Sequence, residues 1–170
     1  MAIRPIVKWG EGVLHAPSAP VPAITDDIKA LLDDMHETMI AAPGIGLAAP
    51  QIGVSLRVII VDLSVGEDPA QLIELVNPEF VSRDGMQLED EGCLSLPGFN
   101  AIVPRPLKAT VRGLDRTGQS RVIEGTGLLA RALQHEIDHL DGVLFLERLR
   151  GLKRDLIKRR IRKLQRTGKW

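Results

Sequence analysis

Two histidines four residues apart are the side chains of this chain best spaced to act together chemically. They lie in His135-Glu136-Ile137-Asp138-His139, which matches the pattern H-E-x-x-H. Residues at i and i+4 share one face of an α-helix, so both imidazoles can reach one metal ion. Glu136 is rotated by about 100° from His135 at 3.6 residues per turn. The spacing therefore predicts a metal site with Glu136 beside it as general base.

Cys93 is the candidate for a third ligand. A catalytic metal usually takes three protein ligands and keeps one position open. No histidine follows His139, and Cys93 is the one cysteine of the chain, in Glu91-Gly92-Cys93-Leu94-Ser95. A thiolate is a strong ligand, and a metal lowers the thiol pKa enough to deprotonate it. A Cys-His-His site with an open position predicts hydrolysis, while a lone cysteine also fits a small buried hydrophobic residue.

Gln51 closes a third segment, in which residues 44–51 read Gly-Ile-Gly-Leu-Ala-Ala-Pro-Gln. Small residues let a backbone lie close to a substrate or to another strand. The amide of Gln51 can donate a hydrogen bond to a developing oxyanion. The same segment also fits a tight connection between a helix and a strand.

These residues must be positioned by a mixture of helices and short strands. Thr25 can cap a helix whose apolar residues recur at helical spacing up to Met39, and Gly142 can stop the helix that carries the histidines. The predicted elements are strands at 57–63, 71–76, 108–112 and 121–124, helices at about 126–141 and 149–165, and a turn at Asn77-Pro78. This pattern favours an α+β fold, with short mixed or antiparallel sheets around the metal-binding helix.

Composition favours one compact domain over residues 1–170. Hydrophobic residues make up 44% and charged residues 26% of the 170 residues, ordinary values for a globular chain. No apolar run approaches the roughly 20 residues of a membrane span, and the first residues show no secretory signal. A single cysteine suits a reducing compartment. We therefore expect a cytoplasmic protein, or the mature form of an organellar one, with no membrane partner.

The net charge of zero hides an acidic body and a basic end. Residues 147–170 hold 11 Lys and Arg and 2 acidic residues, which leaves 11 basic and 20 acidic residues elsewhere. Six apolar residues recur there at helical spacing, which predicts an amphipathic helix. They are Leu149, Leu152, Leu156, Ile157, Ile161 and Leu164. This helix can pack on its own domain or bind a polyanion.

The three segments together resemble the peptide deformylase family. Its motifs G-x-G-L-A-A-P/T-Q, E-G-C-L-S and Q-H-E-x-D-H-L are matched in order by residues 44–51, 91–95 and 134–140. The likeness extends over nearly the whole chain, and the length and basic final helix are similar to the bacterial type 1 branch. The resemblance implies hydrolysis of N-formylmethionyl peptides to formate and a free N-terminus.

Roles for individual residues follow from this resemblance. It implies that Cys93, His135 and His139 bind the metal, ferrous iron in cells with zinc, nickel or cobalt able to replace it, and that Glu136 carries the proton to the leaving amine. The implied oxyanion donors are Gln51 and the backbone N–H of Leu94. The implied substrate-binding residues are Ile45, Gly46 and Gly92 for the peptide backbone and Leu128, Ala132 and Ile45 for the methionine side chain. The resemblance also implies contact between the basic helix and ribosomal RNA.

Other functions remain compatible with parts of this pattern. A metallopeptidase shares H-E-x-x-H but normally lacks the cysteine ligand and the Gln51 segment. A non-catalytic, metal-stabilised RNA-binding module would normally have four protein ligands, and only three are found. A deformylase-like protein acting on another substrate would keep the same motifs. Hydrolysis that requires a formyl group would distinguish a deformylase from both the metallopeptidase and the RNA-binding module.

Overall fold

The computed structural model describes residues 2–170 and has the predicted α+β architecture. Its helices are α1 (Asp26–Ala41), α2 (Leu128–Leu140), α3 (Phe145–Arg148) and α4 (Leu152–Arg166). Its strands are β1 (Gly46–Ala48), β2 (Val58–Val61), β3 (Ile73–Asp84), β4 (Gln87–Gly92), β5 (Asn100–Arg105), β6 (Lys108–Leu114) and β7 (Ser120–Thr126). None of the helices in this part of the chain is long and apolar enough to cross a membrane.

Helix α2 lies at the centre of two antiparallel sheets. One sheet has five strands in the order β1-β2-β3-β6-β7, and the other consists of β4 and β5. All the pairings are antiparallel. Helix α2 contacts β1, β2, β6 and β7, and Leu133, Ile137 and Leu140 on it are buried in one core cluster with strand residues. The helix that carries H-E-x-x-H is therefore held on several sides.

Helix α1 forms as its sequence predicts. The Thr25 side chain accepts a hydrogen bond from the backbone N–H of Ile28, which satisfies one of the free donors of the first turn. Met35 and Met39, on the apolar stripe, are fully buried against β1 and β2 residues such as Leu47. This helix supports the segment that leads into Gln51.

The predicted turn at Asn77-Pro78 is wrong, because β3 runs through it. The pairing of β3 with β6 shifts its register there, and Asn77 takes a left-handed φ of 52°. The Asn77 side chain accepts from the backbone N–H of Val21 and donates to its carbonyl. These bonds stabilise a bulge in a continuous strand, and the Pro78 nitrogen has no N–H to pair.

The predicted helix at 149–165 corresponds to α4, which begins later, at Leu152, and the short helix α3 precedes it. Leu149 is extended and Gly151 has a φ of 68°, so α3 ends before α4 begins. Helix α4 packs on the body through Ile157 and Ile161, which are buried in a core cluster with Leu96. The rest of its apolar stripe is more open, and the Leu152 side chain is 73% exposed.

Candidate metal centre

The fold brings the three predicted ligand side chains together, although Cys93 comes from a loop and the histidines from α2. The Cys93 sulfur lies 3.3 Å from His139 Nε2, which lies 3.2 Å from His135 Nε2. All three candidate ligand atoms lie within 4.8 Å of one another. His139 is fully buried and His135 nearly so. A sulfur and two imidazole nitrogens thus face one small volume.

This donor set fits a tetrahedral divalent ion. Metal–sulfur and metal–nitrogen bonds of about 2.3 and 2.0–2.1 Å place such donors roughly 3.3–3.6 Å apart, close to the separations seen here. Burial lowers the pKa of His139, which favours the neutral imidazole that binds metals. Thiolate and imidazole together suit zinc and iron-type ions better than magnesium or calcium.

Glu136 lies beside the three donor atoms without being one of them. Its carboxylate rests against Gly46 of β1, where an added Cβ would approach Glu136 Oε1 to 2.6 Å. Its other oxygen is buried and has no hydrogen-bond partner within the described residues. Burial raises the pKa of the Glu136 carboxyl to about 7. A carboxyl group with that pKa can both accept and release a proton near neutral pH.

A buried ion network behind the site orients His135. Glu91 Oε2 lies 2.6 Å from His135 Nδ1 and accepts from Arg105 at 2.6 Å, while Glu91 Oε1 accepts from Arg105 and Arg131, each at 2.7 Å. Burial alone would raise the pKa of Glu91, but the hydrogen bonds from Arg105 and His135 lower it well below its usual range. Because Nδ1 is held by the carboxylate, Nε2 is turned towards the other donors.

Asp138 extends this network to α3. It accepts from Arg105 at 3.0 Å and from both sides of the Arg148 guanidinium at 2.7 and 3.0 Å. Asp138 and Arg131 occupy the polar stripe of α2 that usually faces solvent, yet both are buried. Helical spacing alone shows a polar stripe but not the buried partners, because Glu91 and Arg105 come from a separate two-stranded sheet.

Gln51 and Leu94 border the same site. The Gln51 side-chain amide donates to Ser95 Oγ at 3.2 Å and lies 3.7 Å from the Cys93 sulfur. Its carbonyl oxygen accepts from Ala48 N–H at 3.0 Å, which fixes which end of the amide faces the cysteine. Leu94 follows Cys93 directly and lines the adjoining cleft.

A cleft of about 800 Å³ opens onto the site. All five residues predicted to bind substrate line it, and they come from four separate elements and loops. These residues are Ile45, Gly46, Gly92, Leu128 and Ala132. The cleft wall also includes Gly98, Phe99 and Asn100, which were not among the predicted substrate-binding residues. Phe99 carries no chemical group that a motif search would single out, and only the return of the chain from Cys93 into β5 brings it here.

An α+β fold that encloses a Cys-His-His set beside a buried glutamate is typical of metal-dependent hydrolases. The family described as polypeptide deformylase matches residues 3–155. A peptide deformylase of Acidobacterium capsulatum is 54% identical over the full length of both chains. One from Thermodesulfovibrio yellowstonii is 49% identical over 95% of this chain and 98% of its own. The crystal structure of a peptide deformylase from Legionella pneumophila is 44% identical, covers 98% of each chain and superposes with a TM-score of 0.91.

The chain belongs to the polypeptide deformylase family, whose members are enzymes that remove formyl groups from nascent peptides. This confirms the resemblance drawn from the three motifs, and neither the metallopeptidase nor the RNA-binding module is favoured.

Proposed function

We propose that this chain hydrolyses N-formylmethionyl peptides at a site where Cys93, His135 and His139 hold one divalent metal ion. The observation that carries the proposal is the convergence of three ligand atoms beside the Glu136 carboxylate, one oxygen of which has no partner within residues 2–170. A bound divalent ion would polarise the formyl carbonyl and make water a stronger nucleophile at neutral pH.

The residues around the metal site carry out proton transfer and stabilise the oxyanion. Glu136 removes a proton from the attacking water as the water oxygen bonds to the formyl carbon. The amide of Gln51 and the backbone N–H of Leu94 donate hydrogen bonds to the oxyanion of the resulting tetrahedral carbon. When the carbon–nitrogen bond breaks, Glu136 gives its proton to the departing amine. Formate and a peptide with a free N-terminus are the products.

The cleft wall suits an extended peptide that begins with methionine. β1 is an edge strand of its sheet, so Ile45 and Gly46 can pair with a peptide backbone, with Gly92 on the opposite side. Leu128, Ala132 and Ile45 offer an apolar wall beside the histidines, and the small Ala132 side chain leaves room for an unbranched side chain. These features support methionine as the first residue.

Metal identity, location and partner are further parts of the proposal. We propose ferrous iron as the metal in cells, with zinc, nickel or cobalt able to substitute, since all bind sulfur and imidazole ligands. We also place the protein in the cytoplasm, where formylated nascent chains of bacteria emerge. The basic face of α4 is proposed to meet ribosomal RNA there, because 11 basic residues lie in residues 147–170.

The test is formate release from formyl-Met-Ala-Ser by protein prepared anaerobically with iron. The acetylated and unblocked peptides are the matched controls, and we expect no cleavage of either. Internal cleavage of the unblocked peptide would instead identify a metallopeptidase. Replacing Cys93, His135 or His139 by alanine should lower metal content and formate release together. Full metal retention in Cys93→Ala at unchanged affinity would exclude Cys93 as a ligand.

A further inference from the structure

Trp170 lies against one wall of the substrate cleft, outside the elements that carry the proposed chemistry. Its ring centroid is 6.0 Å from that of Phe99, with the two ring planes tilted by 58°. The Trp170 indole N–H donates to the backbone carbonyl of Trp9 at 2.9 Å. Trp9 N–H in turn donates to the carbonyl of Ser95 at 2.9 Å. Trp170 therefore contacts both Phe99 in the cleft wall and Trp9, whose backbone is hydrogen-bonded to Ser95 in the loop that carries Cys93.

Phe99 is partly buried against the core cluster that contains Leu96, and its neighbours in sequence on the cleft side are exposed. Pro97 and Gly98 before it are exposed, Gly98 has a left-handed φ of 83°, and Asn100 after it is exposed. The Phe99 backbone N–H donates to Leu96 in a turn at 3.2 Å. The Phe99 side chain is half-buried, with the cleft on one side and α4 on the other. There Trp170 packs on it and the Arg160 guanidinium carbon lies 5.6 Å from its centroid.

Phe99 lies beside the backbone that the proposed function pairs with the peptide. β5 begins at Asn100, which is paired with Gly92, and an added Cβ on Gly92 would lie 3.7 Å from the Phe99 carbonyl oxygen. Cys93, on the other side of Gly92, marks the end of the cleft where the formyl group is cut. A peptide that runs from Cys93 past Gly92 therefore meets Phe99 with residues that follow its methionine.

We propose that Trp170 is a positioning residue, which holds the Phe99 ring as the wall for peptide residues after the methionine. The proposal rests on the proposed function. An aromatic pair of this kind is worth about 2- to 10-fold in an equilibrium, so its loss should weaken binding of long peptides by that factor. A dipeptide that ends before Phe99 gains nothing from the contact.

Steady-state kinetics on formyl-Met-Ala and formyl-Met-Ala-Ser-Lys would test this role. We expect Trp170→Ala to raise KM for the longer peptide by about 2- to 10-fold, with kcat for both peptides and KM for the dipeptide unchanged. Trp170→Phe keeps an aromatic ring and should restore most of the loss. Leu152→Ala is the matched control, because it removes an apolar side chain from α4 that is 73% exposed.

The double mutant that combines Trp170→Ala with Phe99→Ala shows whether the change in KM depends on Phe99. If Trp170 acts through Phe99, Trp170→Ala should add nothing to KM of the longer peptide in that background. Independent effects of the two substitutions, or an equal change in KM for both peptide lengths, would overturn the proposal. Absence of any formyl hydrolysis by the unaltered protein would instead refute the proposed function.

A fluorescence measurement covers the case in which Trp170→Ala does not fold. Trp9 and Trp170 are the two tryptophans of the chain, so Trp9→Phe leaves Trp170 as the only one. Its emission should change when the product peptide Met-Ala-Ser-Lys saturates the cleft, and much less with Met-Ala. Unchanged emission with the longer peptide would also overturn the proposal.

Discussion

Neighbouring residues of α2 receive different tasks because the elements around the helix differ on each side. His135 faces Glu91 of β4, which holds its Nδ1. Glu136, one position further on, faces Gly46 of β1 and keeps one oxygen unpartnered within the described chain. The H-E-x-x-H spacing predicts that the histidines converge and that Glu136 lies beside them. It does not predict the glycine that makes room for the glutamate.

Glu136→Gln should separate proton transfer from metal binding. Glutamine keeps the size of the side chain but cannot accept the proton from water. We expect kcat to fall by about 100- to 10,000-fold, while metal content, measured by elemental analysis, stays near that of the unaltered protein. Near-normal turnover in this variant would exclude Glu136 as the general base.

Gln51→Ala should lower turnover with little change in metal content. The Gln51 amide lies 3.7 Å from the Cys93 sulfur but is oriented by Ala48 and Ser95, so it is set to donate without being a ligand. Losing one oxyanion donor typically costs about 100- to 1000-fold in kcat. A change in KM alone, with kcat retained, would assign Gln51 to substrate binding instead.

Among the elements, those with a clear period and clear ends were predicted, and those set by distant partners were not. α1 and α2 have apolar periodicity with recognisable start or stop residues, and both lie where expected. The β4–β5 pair was missed because Pro104 lies inside β5 and because three consecutive acidic residues, Glu89, Asp90 and Glu91, make up half of β4. Pro104 is tolerated there because β5 is an edge strand of a two-stranded sheet.

Gly46→Ala tests the contact between β1 and α2. An added Cβ would lie 2.6 Å from Glu136 Oε1 and 3.1 Å from two further atoms of that side chain, so the carboxylate must move. A displacement of about 1 Å can cost on the order of 100-fold in turnover, and metal content should not change. Gly12→Ala is the control, since its added Cβ meets nothing within 4 Å. Equal kcat values for both variants would contradict this account.

Arg105→Met tests the buried network that joins β5 to β4 and α2. The substitution leaves the buried Glu91 and Asp138 carboxylates with fewer partners, which should lower the free energy of unfolding by about 3–5 kcal/mol. Arg112→Met is the control, because its ion pair with Glu79 is more than half exposed on both sides and should contribute about 0–1 kcal/mol. Urea unfolding of both variants measures the free energy of unfolding. Similar losses in the two variants would show that burial of the Arg105 network contributes no extra stability.

At the scale of the whole molecule, α4 combines an anchoring side with a charged side. Ile157 and Ile161 lie in the same core cluster as Leu96, which is three residues after Cys93 in sequence. Removing α4 would therefore expose core surface next to the loop that carries Cys93. The sequence predicted both the charged side and an apolar stripe that could pack on the domain, and the packing shows that Ile157 and Ile161 are the residues of α4 buried there. Function of the charged side is better tested by changing surface residues than by truncation.

Replacing Arg159, Arg162 and Lys163 by glutamate should weaken ribosome binding while leaving catalysis intact. All three are exposed on α4. Each lost phosphate contact lowers the slope of log affinity against log salt by about 0.7–0.9, so co-sedimentation with ribosomes should fall at low salt and depend less on salt. The control variant carries the same charge change on exposed residues of other elements, Lys29, Lys108 and Arg121. Equal loss in both variants would assign binding to overall charge, and full binding by the α4 variant would exclude this face. Unchanged formate release from formyl-Met-Ala in both would show that α4 delivers the enzyme to its substrate without taking part in the chemistry.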